Sequence, residues 1–350
     1  MKPLDYRSAG VDIEAGDEAV RRIAPLARRT YRSEVLGAIG AFASFVRVPA
    51  GYAEPVLVSS TDGVGSKLKV AFLADRHDTV GIDLVAMGVN DVLVHGAEPL
   101  YFLDYIGTAR VDPARIERVV AGVAEGCQRA GCALVGGETA ELPDLYGPGE
   151  YDLAGFAVGV AERARLVDGA GVKPGDVVLG LPSSGLHSNG YSLARRIVFD
   201  VMRLTIDSVI PGLGRTVADE LLEPTRIYAR PILDLLKRGA AVRAMAHVTG
   251  GGITGNLPRV LPEGCRARLH RDAWDVPPIF RVLQDAGRVG DVEMFRAFNM
   301  GIGYLLVVPA EQAEAVMRWA GSADGGPGGP VAAPIRLGHI VAGERGVELV

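Results

Sequence analysis

Cysteine is scarce in this chain of 350 residues. Its three cysteines, Cys127, Cys132 and Cys265, form neither a CxxC pair nor a cluster with the spacing of zinc ligands. An odd number also argues against a framework of disulfides, which stabilises small proteins of oxidising compartments. The sequence therefore predicts buried, reduced thiols.

Long apolar runs and basic clusters are missing as well. No apolar stretch approaches the roughly 18 residues that cross a bilayer, and the opening MKPLDYR contains no apolar leader. The net charge is −5, from 37 basic and 42 acidic residues, and no segment is rich in Lys and Arg. Duplex nucleic acid and anionic membranes select positive surfaces. We therefore expect neither as a partner, and a cytoplasmic protein that acts on small molecules.

Glycine, by contrast, is abundant. Forty-six glycines and 21 prolines separate short apolar runs, a pattern typical of α/β domains with many tight turns. The chain is longer than the roughly 250–300 residues at which single cores stop growing. We predict two α/β domains, residues 1–168 and 169–350, with the boundary in the turn-rich segment 163–176. A glycine-rich stretch at 321–330 has nothing to bury and is predicted to be a mobile loop.

Hydrophobic periodicity and turn residues predict the elements of both domains. Helices are expected at residues 17–31, 78–95, 112–130, 191–202 and 224–238. Strands are expected at residues 55–60, 100–106, 133–135, 153–160, 177–181, 241–245, 303–308 and 335–340.

The first predicted strand leads into the turn TDGVGSK, residues 61–67. The turn combines the carboxylate of Asp62, flexible backbone at Gly63 and Gly65, and the amine of Lys67, where a phosphate and a metal could meet. It is not a P-loop, because GxxxxGK[ST] occurs nowhere in the sequence. From these residues alone, a glycine turn with exposed charges is an equal alternative.

The helix predicted at 78–95 is apolar on almost every face and must be buried. Its polar residues, Asp83, Asn90, Asp91 and His95, would each cost several kcal/mol if buried without a partner. They should meet a metal, a ligand or a polar neighbour. We favour a functional role for Asp91 and a structural hydrogen bond for His95.

Carboxylates also follow the strand predicted at 133–135. In the segment GGETAE, Gly136 and Gly137 let the backbone approach a ligand, and Glu138 and Glu141 lie beyond the strand end. Magnesium takes a few carboxylate oxygens and completes its shell with water and nucleotide phosphates. Asp62, Asp91 and Glu138 are therefore the predicted metal ligands. Solvated glutamates are the alternative, and this alternative is stronger for Glu141 than for Glu138.

Two polar turns in the second half precede predicted helices. PSSGLHSNGYS, residues 182–192, carries seven polar side chains, and HVTGGGITGN, residues 247–256, carries three consecutive glycines. Both turns are suited to binding an anion through backbone N–H groups. His187 could donate to a substrate oxygen or move a proton, although a structural role is equally expected for a lone turn histidine. For the glycines, a flexible hinge is the alternative.

Taken together, these segments resemble one enzyme family, phosphoribosylformylglycinamidine cyclo-ligase, also called aminoimidazole ribonucleotide synthetase. The resemblance covers nearly the whole chain, from DYRSAGVDI at 5–13 to FNMGIG at 298–303. Its motifs in order are TDGVGSK, GIDLVAMGVNDVLVHGAEPLYFLDY, LVGGETAELP, SSGLHSNGYSL, EPTRIY and HVTGGGITGNLPRVLP.

The resemblance implies two α/β domains and a homodimer in which the N-terminal sheets of two subunits form a closed barrel. It implies ATP and Mg²⁺ as cofactors and formylglycinamidine ribonucleotide as the substrate. The formamide oxygen would be phosphorylated, and the ribosyl-bearing nitrogen would then close the imidazole ring with release of phosphate.

The resemblance also assigns site residues. Nucleotide contacts fall on Asp62, Gly63, Gly65, Lys67, Asp91, Gly136, Gly137 and Glu138. Substrate contacts fall on Ser184, Gly185, His187, Asn189, Thr249, Gly250, Gly251 and Gly252. The catalytic set is His187, Lys67, Asp91 and His247.

Two departures from the family pattern stand out. Ser66 replaces a threonine and keeps the hydroxyl group. Ala41 and Ala43 replace glycines in an N-terminal glycine-rich segment, and their methyl groups matter only if the backbone there has positive φ or touches the ligand.

Proteins on the same scaffold supply the alternatives. Selenophosphate synthetase is expected to have an N-terminal cysteine, and the hydrogenase maturation dehydratase a C-terminal one. Both cysteines are absent here. Thiamine-monophosphate kinase is the enzymatic alternative, but it lacks the SSGLHSNGYSL and HVTGGG agreement. A catalytically inactive ATP-binding protein is disfavoured because Asp62, Lys67, Asp91, Glu138 and His187 are all present.

Overall fold

A computed structural model describes residues 10–37, 39–319 and 333–350 of the chain. The predicted α/β class is confirmed, because helices pack on two β-sheets built from successive parts of the sequence. The first sheet has four strands in the order β1-β4-β2-β3, and the second has six in the order β10-β7-β9-β5-β8-β6. The opening segment of the family resemblance lies partly, and the glycine-rich stretch at 321–330 entirely, outside the described residues.

The strands are β1 (Pro55–Gly63), β2 (Glu98–Thr108), β3 (Ala133–Glu141), β4 (Tyr151–Glu162), β5 (Val177–Pro182), β6 (Ala244–His247), β7 (Cys265–Leu269), β8 (Ile302–Val308), β9 (Ile335–Ala342) and β10 (Gly346–Leu349). The α-helices are α1 (Ile13–Arg28), α2 (Leu68–Ala74), α3 (Asp78–Leu93), α4 (Pro113–Ala130), α5 (Tyr191–Arg195), α6 (Val217–Leu221), α7 (Ala229–Lys237), α8 (Gly252–Asn256), α9 (Pro278–Gly287), α10 (Asp291–Ala297) and α11 (Ala310–Trp319).

Helix α3 is the central element of the first half, as its apolar sequence predicted. All residues from 80 to 90 are buried, and the helix packs against α4 as well as against β1 and β4. Two glycines permit the close approach of α3 and α4. A Cβ on Gly81 would lie 2.3 Å from the Val119 carbonyl oxygen, and a Cβ on Gly122 would lie 2.0 Å from that of Asp78.

Two strands extend further than the sequence indicated. β1 continues through Asp62 and Gly63, which pair with Gly155 and Ala154 of β4. β3 continues to Glu141 because its whole length pairs in parallel with β2. The expectation that 136–141 forms a turn beyond the strand is therefore wrong, and these residues form an edge strand instead.

Helices in the second half are shorter than predicted. Residues 224–228 are not helical, because Asn90 of α3 accepts from the Tyr228 N–H at 3.0 Å and donates to the Arg226 carbonyl at 2.8 Å. The helix predicted at 191–202 is the short α5 followed by a π-helix, Arg196–Val201. These changes depend on contacts that local periodicity does not report.

The two sheets meet in sequence at the segment 163–176, which contains a 3₁₀ turn, Arg163–Arg165, and loops. A boundary between residues 168 and 169 stays a prediction. All three cysteines are free and buried, as expected. Within the described ranges, we find no helix with the length and apolar character needed to span a bilayer.

Candidate active site

A carboxylate and a histidine meet where helix α3 contacts strand β6 of the second sheet. Asp91, near the end of α3, accepts a hydrogen bond from His247 Nδ1 at 2.9 Å, and its second oxygen accepts from Ser60 Oγ at 3.2 Å. His247 is the last residue of β6 and is 4% exposed. The structure thus unites two predicted site residues that are 156 positions apart in the chain.

The hydrogen bonding of His247 defines its tautomer. Because Nδ1 donates to the Asp91 carboxylate, the lone pair of a neutral ring lies on Nε2. This nitrogen is buried and has no hydrogen-bond partner among the residues that the structure describes. An oriented imidazole with a free acceptor nitrogen is suited to accept a proton from a bound molecule.

The carboxylate of Asp91 is near enough to affect the pKa of Asp62. Burial and the neighbouring Asp91 raise the pKa of Asp62, opposed by the Gly63 N–H that its Oδ1 accepts at 2.7 Å. Burial alone would also raise the pKa of Asp91, but His247 and Ser60 outweigh it and hold that pKa below its usual value. A divalent cation would relieve this repulsion, so the donor chemistry fits Mg²⁺.

A cleft of about 320 Å³ opens beside these groups. Its polar wall includes His95 and Arg259 as well as Asp91 and His247. The His95 ring makes the structural contact expected of it, at 3.1 Å to the Val167 carbonyl. Arg259 Nη1 donates to Asn256 Oδ1 at 3.2 Å and places a positive charge near Asp91. The cleft therefore combines negative, positive and neutral hydrogen-bonding groups.

The turn at 183–190 buries His187 rather than presenting it to solvent. The residue is 1% exposed and adopts a left-handed backbone with φ of 62°. Its Nε2 accepts from the Ser184 N–H at 3.2 Å. Burial, with the nearby positive charges of His247, Lys67 and Arg226, lowers the pKa of His187 well below its ordinary value. Because Nε2 accepts this hydrogen bond, a neutral ring carries its proton on Nδ1, which is buried and has no hydrogen-bond partner among the described residues. The role of His187 toward the substrate stays a prediction.

The glycine turn after β6 lies against the His187 turn. A Cβ added to Gly250 would lie 3.4 Å from Asn189 Oδ1, so the two predicted substrate segments are in contact. Asn256 holds the glycine turn by donating to the carbonyls of Gly250 and Gly252, and it accepts from Thr249 Oγ1 at 3.2 Å. Gly251 and Gly252 both have positive φ. The hinge alternative is disfavoured, because the turn is tied at three points.

Elsewhere in the His187 turn, Ser184 Oγ donates to the Pro224 carbonyl at 2.6 Å. The carbonyl of Gly185 accepts from Ser183 Oγ and Asn299 Nδ2 at 2.9 Å each. Ser184 and Gly185 thus form internal contacts that shape the turn. Their assignment to substrate binding stays a prediction.

Lys67 is placed differently from the prediction. Its side chain is 0% exposed and its ammonium donates to Asp83 Oδ1 at 2.9 Å and to the carbonyls of Glu223 and His187 at 2.7 and 3.1 Å. Burial lowers the pKa of Lys67, and the Asp83 carboxylate opposes that shift. Three acceptors use all three N–H donors. Direct contact between Lys67 and a phosphate is therefore not supported; the residue joins the two halves of the chain.

Glu138 does not join the other predicted metal ligands. One row of paired residues across the four strands consists of Asp62, Gly155, Asp104 and Gly137. Glu138 lies in the next row, where it pairs with Tyr105. Neighbouring rows of a pleated sheet point to opposite faces, so Asp62 and Glu138 are on different sides. Among the described residues, no three His, Cys, Asp or Glu side chains are close enough to hold a metal together. Within this chain, the structure does not bring the three predicted carboxylates together.

Glu141 and the glycines of the predicted nucleotide site have mixed surroundings. Glu141 is structural, since it accepts from the backbone N–H groups of Asp12 and Val111 at 2.6 and 2.7 Å. Gly137 leaves no space for a side chain, because a Cβ would lie 2.1 Å from Asp104 Oδ1. A Cβ added to Gly63 would lie 2.9 Å from the Leu153 carbonyl oxygen, and one added to Gly136 would lie 3.3 Å from the Leu103 side chain. Gly65 has positive φ and free space around it.

The two departures from the family pattern are tolerated locally. Ser66 Oγ lies 3.1 Å from Ser192 Oγ, so the hydroxyl contributes a contact between the two halves. Neither Ala41 nor Ala43 has a positive φ, so their methyl groups introduce no backbone strain. The neighbouring Ser44 Oγ donates to the Val135 carbonyl and attaches this segment to β3.

Sequence reasoning missed Ser60, Asn256 and Arg259 as parts of the site. Ser60 is two residues from Asp62 on a strand, so the two share one face; this alternation was a usable signal. Asn256 and Arg259 are within the HVTGGGITGNLPRVLP motif, but nothing local shows that they line the same cleft as Asp91. Asp83 was recognised as needing a partner, and that partner proved to be Lys67.

These two sheets and their shared cleft define a member of the AIR synthase related proteins. Residues 43–161 match the family model described as "AIR synthase related protein, N-terminal domain", and residues 173–344 match "AIR synthase related protein, C-terminal domain". Within this class, the chain belongs to the phosphoribosylformylglycinamidine cyclo-ligase family.

Close relatives support that membership. The cyclo-ligase of Citrifermentans bemidjiense is 58% identical over 315 residues, covering 90% of each chain. The cyclo-ligase of Myxococcus xanthus is 58% identical over 307 residues, covering 87% of this chain and 89% of that one.

Solved structures share the fold at lower identity. Thiamine-monophosphate kinase from Stenotrophomonas maltophilia has a TM-score of 0.71 and 21% identity, with 95% of each chain covered. The hydrogenase maturation protein HypE in complex with ATP has a TM-score of 0.66 and 18% identity, covering 94% of this chain and 90% of that one. At these identities the likeness establishes the fold alone.

Proposed function

We propose that the chain closes the imidazole ring of aminoimidazole ribonucleotide from formylglycinamidine ribonucleotide, in de novo purine synthesis, with conversion of ATP to ADP and phosphate. The observation that carries this proposal is the Asp91–His247 pair beside Asp62, in a cleft between the two sheets. Identity of 58% to cyclo-ligases, against 21% to the kinase, supports the ring-closing reaction over phosphorylation of thiamine monophosphate. We expect the reaction to occur in the cytoplasm.

The reaction has two chemical requirements. The formamide oxygen attacks the γ-phosphorus of ATP and becomes a phosphate leaving group. The ribosyl-bearing nitrogen then attacks the formyl carbon, the carbon–oxygen bond breaks, and the nitrogen must lose a proton. Asp62 and Asp91 would hold Mg²⁺, which neutralises charge on the transferring phosphoryl group.

His247 is the residue that we assign to the proton. Its Nε2 is the free acceptor nitrogen, and Asp91 fixes the ring and stabilises the imidazolium that forms. His187 keeps a neutral ring that shapes the adjoining turn. We therefore propose His247, and not His187, as the proton acceptor.

We further propose a homodimer that covers the open face of the first sheet. Helices α3 and α4 pack on one face, whereas Leu57 and Phe156 are 57% and 44% exposed on the other. The two share a face, because Thr61, which is on the same side of β1 as Leu57, pairs with Phe156. An apolar face of this kind favours burial against a second copy. Sedimentation should give a dimer, and Phe156→Glu a monomer; a monomeric unmodified chain would contradict the proposal.

The reaction is tested by incubating the purified chain with ATP, Mg²⁺ and formylglycinamidine ribonucleotide. The aminoimidazole product and ADP should form in equal amounts, and ADP should require the substrate. A parallel tube contains thiamine monophosphate instead. ADP formed only there would assign the chain to the kinase, and ADP in neither tube would leave an ATP-binding protein without turnover.

A further inference from the structure

A second, larger cleft lies apart from the cleft at Asp91. It has a volume of about 580 Å³ and shares no lining residue with the cleft at Asp91. Leu73 of α2 contributes one wall, and α5 with the following π-helix contributes the opposite wall. The cleft therefore lies between the two halves of the chain. None of the residues proposed to bind nucleotide or substrate lines it.

Two arginines give this second cleft its charge. Arg195 and Arg196 both line it, and neither forms an ion pair with a carboxylate in the described parts of the chain. The Arg195 Nε is buried and donates to no described acceptor. Asp200 is the one acidic side chain among the lining residues. The guanidinium donors are thus available to an anion, for which arginine is well matched.

The π-helix explains how these side chains share one cleft. Residues 196–201 form a wide turn in place of the regular helix expected from the sequence. Arg196, Phe199 and Asp200 on this turn all line the cleft. π-Helical turns are rare and occur frequently at functional sites.

The remaining wall is suited to a flat apolar group. Leu73, Phe199 and Ile206 line it beside the hydroxyls of Ser192 and Thr205, and Leu73 is 58% exposed. One aromatic ring, two aliphatic side chains and a pair of free guanidinium groups together match a ligand that has both an anionic end and a ring.

We propose that the second cleft binds the phosphate end of a ribonucleotide, with Arg195 and Arg196 on the phosphate and the apolar wall against the sugar or the base. One source of this chemistry is the ribose phosphate of the substrate, an arm that rests on the proposed function. The other is a separate nucleotide. A ligand bound in this cleft would connect α2 to α5. Ser192 of α5 already contacts Ser66, and α5 begins directly after the His187 turn.

Binding is measured by calorimetry on the full chain with AMP, adenosine and inorganic phosphate as probes, which needs no turnover. AMP should bind at least tenfold more tightly than adenosine. The double variant Arg195→Gln/Arg196→Gln should weaken AMP binding at least tenfold. Arg110→Gln, at an exposed arginine outside the cleft, is the matched control and should bind as the unmodified chain does.

Steady-state kinetics of the same variants separates the two sources. A KM for formylglycinamidine ribonucleotide raised at least tenfold in the double variant, with kcat retained, identifies the phosphate as that of the substrate. An unchanged KM with AMP binding lost identifies a separate nucleotide. Circular dichroism checks that the double variant is folded. If the folded double variant changes neither AMP binding nor KM, the proposal is wrong.

Discussion

At the scale of single residues, the His247 imidazole has the most direct link to chemistry. Its Nε2 is a buried acceptor without a described partner, while Asp91 holds the opposite nitrogen. His247→Gln should lower kcat by about 10²- to 10⁴-fold, the range typical of general acid–base groups, with a much smaller change in KM. His270→Gln, at an exposed histidine outside the cleft, should leave both unchanged. Equal turnover in the two variants would exclude His247 as the proton acceptor.

Asp104 is a buried carboxyl that should make stability depend on pH. Burial raises its pKa to about 7, whereas the unfolded value is about 4. Between these values the folded chain keeps a proton that the unfolded chain loses, so stability falls as pH rises and the loss is complete above pH 7. The effect of Asp104→Asn is the free energy of unfolding of the variant minus that of the unmodified chain. This difference should be more favourable at pH 8 than at pH 5 by up to about 3 kcal/mol.

Urea unfolding at the two pH values measures that difference. Asp144→Asn removes an exposed carboxyl instead and should give the same free energy of unfolding, relative to the unmodified chain, at both values. A pH-independent effect of Asp104→Asn would show that Asp104 has an ordinary pKa in the folded chain.

At the scale of elements, sequence signals worked where the determinants are local. Helix α4 was predicted at 112–130 and runs Pro113–Ala130, because Asp112 accepts from the first-turn N–H groups and Pro113 fits the first position. The errors have tertiary causes. β3 extends because β2 offers a partner, and residues 224–228 stay unwound because Asn90 binds their backbone. Neither partner is near in sequence.

Helix α8 begins at a glycine that packing makes indispensable. Gly252 has φ of 62°, and a Cβ there would lie 1.9 Å from the Phe295 carbonyl oxygen. Gly252→Ala combines left-handed strain of roughly 1–2 kcal/mol with a backbone clash, so it should unfold at clearly lower temperature and lose the glycine turn. Gly255→Ala in the same helix meets nothing within 4 Å and should be neutral or slightly stabilising. Thermal unfolding compares them, and equal midpoints would contradict the close packing.

At the scale of the whole molecule, the candidate site could be predicted in composition but not in arrangement. The motifs predicted one site for Asp62, Asp91 and His247, and the structure brings Asp91 into contact with His247 and near enough to Asp62 to raise its pKa. They could not show that Glu138 points to the opposite face of the sheet, since that depends on strand register. They also could not show that Lys67 is buried, because its acceptors, the carbonyls of His187 and Glu223, lie 120 and 156 positions away.

The Lys67–Asp83 pair should act as the connection between the two halves. Asp83 also accepts from Thr225 N and Oγ1 at 2.7 and 2.6 Å. With the carbonyls that Lys67 contacts, four groups of the second half converge on a buried ion pair of the first half. Lys67→Met leaves the Asp83 carboxylate buried without its counter-charge, and should cost about 3–5 kcal/mol of unfolding free energy. The exposed pair Lys69–Glu150 is the matched control, and Lys69→Met should cost no more than about 1 kcal/mol.

A double-mutant cycle with Asp83→Asn distinguishes connection from simple loss of packing. If the charges act on each other, Lys67→Met/Asp83→Asn should be less destabilised than the sum of the single variants, because the second change removes the unpaired carboxylate. Since Lys67 binds the His187 carbonyl, the single variant should also raise KM for substrate more than it lowers kcat. Additive stabilities with a loss confined to kcat would instead place the Lys67 ammonium at the transferred phosphate.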